Sequence, residues 1–191
     1  MLRTGRKWLA ASLLAALLAL PGVAWGANFD YGSFNRELGL RFGYGKNTHG
    51  ASVNLYSLLP HWGIFLIKPG QKWGVGLSFV VEGIFSIADA ESTGFELGFT
   101  PMLKLRLPLG GAASFFIEGG AGMITESFDS PAMAHSFNFT PQAGGGVDIA
   151  LMPQLGLTVA YRFRHSSNAG LYKENPAFNV NFVHGGLTYF Y

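Results

Sequence analysis

Near the C-terminal end of the chain, in the stretch YRFRHSSNAGLYKENPAFN (Tyr161 to Asn179), His165 and Ser167 stand two residues apart at the end of an alternating run. Side chains at i and i+2 share one face of a β-strand, so an imidazole and a hydroxyl fall on one surface. Together they can carry out acyl transfer. The imidazole takes the hydroxyl proton as the oxygen attacks an ester carbonyl, and a nearby donor stabilises the oxyanion. Asn168, the next residue, offers a side-chain amide or a backbone N–H for that oxyanion, and Gly170 lets the chain bend close to a substrate. An H-x-S triplet by itself is more often a solvated turn, so the elements around it must decide.

The face that carries His165 and Ser167 also carries Leu155, Leu157, Val159, Tyr161 and Phe163. An apolar surface leading up to a polar pair suggests a membrane, with the pair at the headgroup level, where Ser and His are tolerated and lipid ester bonds lie. The location suits a hydrolase of acyl esters.

The remaining segments repeat that alternation. Leu38, Leu40, Phe42 and Tyr44 oppose Glu37, Gly39, Arg41 and Gly43. From Trp73 to Ala88 the residues Val75, Leu77, Phe79, Val81, Phe85 and Ile87 oppose Ser78, Glu82 and Ser86. In Phe95 to Leu107, Phe95, Leu97, Phe99, Leu103 and Leu105 oppose Glu96, Thr100, Lys104 and Arg106. Period two means strands. Further strands are expected over Ser52 to Ile67, a less regular one interrupted by Pro60, and over Ser114 to Thr125, Ser136 to Leu151, Leu155 to Ser166 and Phe178 to Tyr191. The expectation is an all-β fold, an eight-stranded antiparallel outer-membrane β-barrel.

Charge placement alone fits either a soluble sandwich that wets its charged face or a closed barrel, and the leader, the aromatic ending and the longer outer connections tip the balance to the barrel. Glu37, Glu82, Glu96, Glu118 and Asp148 and the bases Arg41, Lys104, Arg106, Arg162 and Arg164 all take the parity opposite the large apolar residues. A narrow barrel would pair them inside and turn Leu, Phe and Trp outward to lipid. Trp62 and Trp73 read as interfacial anchors, and the ending Tyr189-Phe190-Tyr191 resembles the terminal-strand signal of outer-membrane barrels. The longest connections, Glu126 to His135 and Ser167 to Ala177, would be extracellular if the barrel's N-terminus is periplasmic.

Arg3, Arg6 and Lys7, the apolar run Trp8 to Leu20 and the small-residue exit Ala24-Trp25-Gly26 form a secretory signal peptide over residues 1–26, leaving a single barrel domain over 27–191. Without that leader, ten bases face eleven acids, a net charge of −1, and the basic stripe that nucleic acid requires is missing. With no cysteine, disulfides, thiolate metal sites and a lipoprotein anchor are excluded. His49, His61, His135 and His184 lack metal-ligand spacing.

His165-Ser166-Ser167-Asn168-Ala169-Gly170-Leu171, followed by Asn175-Pro176, resembles the PagL-type lipid A 3-O-deacylases of Gram-negative outer membranes. The resemblance implies that His165 is the base, Ser167 the nucleophile and Asn168 the oxyanion residue. It also implies release of the fatty acid ester-linked at position 3 of lipid A, with lipopolysaccharide as substrate and no metal or cofactor. Assembly is left open, with a homodimer compatible. The family pattern implies a Glu 14 residues after the His to orient the imidazole, and that place is Asn179. Asn can accept a hydrogen bond from imidazole but cannot offset its charge. By parity Asn179 lies on the outer face with Asn181, Val183, Leu187, Tyr189 and Tyr191, within reach of His165 across the hairpin. Glu174 is the candidate substitute acid. The competing reading is a non-catalytic small outer-membrane barrel, OmpX-like or a decayed deacylase, with a structural or surface-interaction role.

Overall fold

The computed structural model describes residues 27–49, 52–70, 74–130 and 135–191. The expected leader and Trp73 lie outside the described residues. Eight antiparallel strands, β1 (Arg36–Asn47), β2 (Asn54–Ile67), β3 (Gly76–Asp89), β4 (Thr93–Pro108), β5 (Ala113–Glu126), β6 (Phe137–Met152), β7 (Leu155–Ser166) and β8 (Phe178–Phe190), pair in sequence order. β1 also pairs with β8, from Glu37 opposite Phe190 to Asn47 opposite Val180, so the sheet closes on itself. Closure removes both edges, and every strand can then cross a bilayer with its backbone paired.

Alternation decides what each face meets. Leu38, Phe42, Leu97, Phe99, Leu103, Tyr161, Val183 and Tyr189 stand exposed on the outer wall. Trp62 is outward as expected, and its indole N–H donates to the Tyr191 hydroxyl at 3.1 Å, beside the stacked Tyr189 and Tyr191 rings. The lumen holds the charges. Arg41 donates to Glu118 at 3.0 Å, and Arg106 donates to Glu37 at 2.7 Å and to Asp148 at 3.1 Å. Lys104 lies 3.7 Å from Asp148, and Arg164 pairs with Glu96 at 2.5 Å. Arg162 bridges Glu82 and Glu118. Glu126, expected in a turn, is a further buried lumen acid that accepts from Asn138 Nδ2 at 2.6 Å.

Two prolines inside strands, Pro60 and Pro101, shape the ladders. Pro60 lies within β2, which runs unbroken past it and pairs it with Leu40 of β1. The expected interruption is confined to the β2–β3 ladder, which skips from Leu58 to His61. Pro101 leaves the same gap between β4 and β5, where pairing jumps from Phe99 to Met102. A proline has no N–H to give, so one neighbour loses a bond while the other keeps its pairing.

The lumen is plugged at both ends. At the end where β7 leads into β8, inward-facing Val53, Leu55, Ala88, Val180 and Phe182 pack with Phe128 and Phe178. This apolar layer departs from the charged-lumen pattern. At the opposite end, Tyr31 and Phe29 pack on Phe190, and Tyr31 and Ser114 share a hydrogen bond of 2.9 Å. Between Glu82, Arg162 and His184 the space that the centre of a water molecule can occupy is only about 10 Å³, room for one water at most.

Breaking a buried ion pair from one side leaves its partner charged and unpaired, at a cost of ~3–5 kcal/mol. Arg162→Ala is therefore expected to lower unfolding free energy by about that much. Guanidinium unfolding of the detergent-folded barrel measures it, and a change within about 0.5 kcal/mol would show that the network is not what fills and holds the lumen.

Candidate active site

The β7–β8 register sets His165 directly opposite Asn179, both facing out of the barrel. His165 Nδ1 and Asn179 Oδ1 are 2.7 Å apart. An amide oxygen can only accept, so Nδ1 carries the proton and donates it. That fixes the tautomer: Nε2 keeps its lone pair and is free to act as a base.

Ser167 lies one residue past β7, yet its backbone is held. Ser167 N–H donates to Phe139 O at 3.1 Å and Phe139 N–H to Ser167 O at 2.8 Å, in the register that pairs Gln142 with Arg164. The same register puts His165 opposite Pro141, where the next exchanged pair of bonds would fall. Pro141 has no N–H to supply one, and the ladder is interrupted beside the imidazole. Ser167 and His165 thus share the outer face, about 7 Å apart along the strand. Neither the Ser167 hydroxyl nor His165 Nε2 holds a hydrogen bond among the described residues. Nucleophile–base bonds of this kind commonly close only with substrate in place.

Asn168 points the other way and is 2% exposed. Its Oδ1 accepts from Gly170 N–H at 2.9 Å, and its Nδ2 donates to Glu174 O at 2.7 Å. Its own N–H donates to Asn175 Oδ1 at 2.9 Å. The expectation of a backbone oxyanion donor at Asn168 is corrected, because that N–H is already committed to Asn175. One Nδ2 hydrogen remains. Leu171 N–H donates to Asn168 O at 3.1 Å, closing a turn whose central residues Ala169 and Gly170 have φ of 53° and 82°. Two positive φ values define a type I′ turn, which glycine adopts freely and Ala169 adopts at a cost of ~1–2 kcal/mol. Gly170 serves this turn.

Glu174 is also relocated. Its side chain is 77% exposed, and its carboxylate lies 4.0 Å from His135 Nε2, with no contact to His165. His135 stacks on Tyr172 at 4.0 Å between ring centroids, so the loops before β6 and before β8 lean on one another. Asn175, which tethers Asn168, enters the sequence pattern only within Asn175-Pro176, and no spacing rule marks it as a loop tether. Pro141 could have been noticed from the strand pattern, since a proline in a central strand must break one ladder. Among the described residues no group of three His, Cys, Asp or Glu could hold a metal. A groove of about 570 Å³ lies on the outer wall of β1 to β4, lined by Phe42, Tyr56, Leu58, Phe85, Ile87 and Phe95, and includes none of these polar residues.

A lipid-facing His and Ser on an eight-stranded barrel invite comparison with known proteins. The family model described as lipid A 3-O-deacylase (PagL) matches residues 56–188, which includes every residue of this site. The chain belongs to that family. Among solved structures, the outer membrane enzyme PagL superposes with a TM-score of 0.61 at 22% identity, covering 78% of this chain and 97% of its own. Neisserial surface protein A superposes with a TM-score of 0.57 at 11% identity, covering 83% and 97%. Ail, the attachment invasion locus protein of Yersinia pestis, gives 0.53 at 12%, covering 82% and 97%. At these identities the likeness is one of fold, that of outer-membrane barrels. No curated protein matches the chain.

Asn168→Ala removes two side-chain hydrogen bonds from the loop and leaves Glu174 O and Gly170 N–H without those partners, a loss of ~1–3 kcal/mol in local stability. Limited proteolysis in detergent should cut the variant within residues 167–177 several-fold faster than the parent. Equal cleavage rates would mean that this side chain does not hold the loop.

Proposed function

We propose that this PagL-family barrel is a serine esterase that removes the acyl chain ester-linked at position 3 of lipid A. It would act from the outer wall of the barrel at the outer-leaflet headgroup level of a Gram-negative outer membrane, after export with a cleaved leader. The observation that carries the reading is the His165 Nδ1–H to Asn179 Oδ1 hydrogen bond, on the lipid-facing surface beside Ser167.

In this mechanism Nε2 of His165 takes the proton of the Ser167 hydroxyl as Oγ attacks the ester carbonyl. The oxyanion role is assigned to the Nδ2 hydrogen of Asn168 that its loop bonds leave free. The protonated imidazole then gives its proton to the departing sugar oxygen, leaving the acyl group on Ser167. Water, deprotonated by His165, releases the fatty acid. No metal or cofactor enters. Asn179 holds the tautomer and the ring plane, while the imidazolium formed in each half-reaction is left without a counter-charge.

Mass spectrometry of lipid A from cells producing the protein provides the test. Wild type is expected to yield lipid A lacking one 3-linked acyl chain, and Ser167→Ala and His165→Ala to leave it intact, a loss of at least about 10³-fold. Activity that survives both substitutions would sink the assignment. Intact lipid A from a correctly folded wild type would favour a non-catalytic relative, the reading suggested by Asn179 standing where the family pattern has an acid.

Asn179→Glu is expected to raise kcat on the order of tenfold, because a carboxylate stabilises the imidazolium as well as orienting it. Asn179→Ala should lower kcat by a similar factor. Single-turnover rates in mixed micelles measure both, and a fall in kcat for Asn179→Glu would contradict the orienting role.

A further inference from the structure

Among the described residues, five of the cations lie in the lumen, paired with carboxylates. The other four are outside it. Arg36 and Lys68 sit at the end where β1 begins and β2 ends. Lys46 and Lys173 sit at the end that carries His165 and Ser167. Neither Lys46 nor Lys173 makes an ion pair among the described residues. Three acids of that rim fall elsewhere, Asp89 at the end of β3, Glu91 in the β3–β4 turn and Asp129, which accepts from Ser92 of that turn at 3.1 Å, while Glu174 follows Lys173 in the β7–β8 loop and offsets its charge, leaving Lys46. The rim is therefore polarised, with its unpaired positive charge on the side of the esterase pair.

Lys46 is the more defined of the two. On β1 it continues the outward row Leu38, Leu40, Phe42 and Tyr44, and it is exposed. Its cross-strand partner on β8 is Asn181, and Asn181 pairs in turn with Phe163 of β7. Asn181 Oδ1 accepts from the Tyr161 hydroxyl at 2.6 Å. With its acceptor engaged, Asn181 is left with its two amide hydrogens, next to an ammonium. One step further toward the loops, Thr48 N–H donates to Asn179 O at 2.9 Å, so β1 stays paired as far as the residue that orients His165. Lys46 and Asn181 thus offer an ammonium and an amide NH2 one residue pair below His165–Asn179, in rows about 7 Å apart.

We propose that Lys46 and Asn181 form a subsite for a phosphate carried on the sugar headgroup of the substrate, so that the enzyme selects phosphorylated glycolipid esters among outer-leaflet esters. The proposal rests on the esterase reading and names its substrate class. A phosphate oxygen accepts from the ammonium and from the amide N–H, and charge-assisted bonds of this kind hold the headgroup while the ester reaches Ser167. Phe163 flanks Asn181 in the same row, and Tyr161 and Val183 form the next row down, an apolar wall for the acyl chains.

The experiment compares kcat/KM on bisphosphorylated and on dephosphorylated lipid A in neutral-detergent micelles, for wild type, Lys46→Gln, Lys46→Arg and Asn181→Asp. Wild type is expected to prefer the phosphorylated lipid by about tenfold or more. Lys46→Gln and Asn181→Asp should lose most of that preference through KM, and Lys46→Arg should keep it. A wild type without preference, or a Lys46→Gln protein with the wild-type ratio, overturns the subsite. Should wild type hydrolyse neither lipid, the esterase reading fails on its own terms. The subsite is then judged by binding of the same two lipids to Ser167→Ala protein with and without Lys46→Gln, where an unchanged affinity ratio overturns it. A parallel arm with phosphatidylglycerol separates the sources of phosphate. If Lys46→Gln weakens phosphatidylglycerol and phosphorylated lipid A equally, Lys46 is a general interfacial anchor and the proposal is wrong.

Discussion

An eight-stranded barrel has an interior just wide enough for its own side chains, and here that interior is filled by ions. Arg41, Arg162, Glu82 and Glu118 form one connected group, and Lys104, Arg106, Glu37 and Asp148 another. Each would be costly alone in so dry a place, and each is tolerated because its neighbours carry the opposite sign. With the lumen full and apolar layers over both ends, no substrate can enter. Any chemistry must use the outer wall, where residues of the other parity meet lipid. The ion network thus fixes the side on which a hydrolase of this shape works.

On that wall, the precision of the site comes from backbone pairing. β7 and β8 place His165 against Asn179 in register, and an isolated pair of bonds to Phe139 holds Ser167 one residue beyond its strand. Between these anchors, Pro141 withholds a donor. The result is a short length of chain fixed at both ends and loosened in the middle, next to a turn that keeps Ala169 at positive φ. Strained or broken regularity at such a place is the usual companion of a functional site, provided that the surrounding structure over-determines it.

Much of this was legible in the sequence. Period-two alternation located seven of the eight strands, with β2 inferred as a less regular run in the remaining place, and for β7 it marked the same ends, Leu155 and Ser166, that the structure shows. Parity put Asn179 on the outer face within reach of His165 and the family resemblance marked it as the orienter, while the direct pairing is set by the β7–β8 register. Other features obeyed rules that alternation does not contain. Glu126 and the apolar residues Leu55, Ala88, Val180 and Phe182 face inward at strand ends, where the lumen has to be closed as well as neutralised. β1 extends past Tyr44 to Asn47 because pairing with β8 carries it on, although Lys46 and Asn47 look like turn residues. The loop was least readable. Whether Asn168 aims at an oxyanion or back at its own loop depends on Asn175, seven residues away, and on a turn geometry that sequence spacing does not encode.

An amide rather than a carboxylate at residue 179 has a physical logic of its own. A Glu on the lipid-facing wall would have to remain ionised at the edge of hydrocarbon, where charged side chains are expensive and need a partner at all times. Its natural partner is an imidazolium, which exists only during turnover, so the resting enzyme would carry the desolvation cost uncompensated. Asn179 makes the same hydrogen bond to Nδ1 with a neutral group, and the resting His–Asn pair is stable at the interface without counter-charge. In the proposed mechanism the cost shifts to the transition state, where the imidazolium must form without help. Orientation is retained and charge stabilisation is given up, which trades turnover for a resting site compatible with a depth at which a carboxylate would sit poorly.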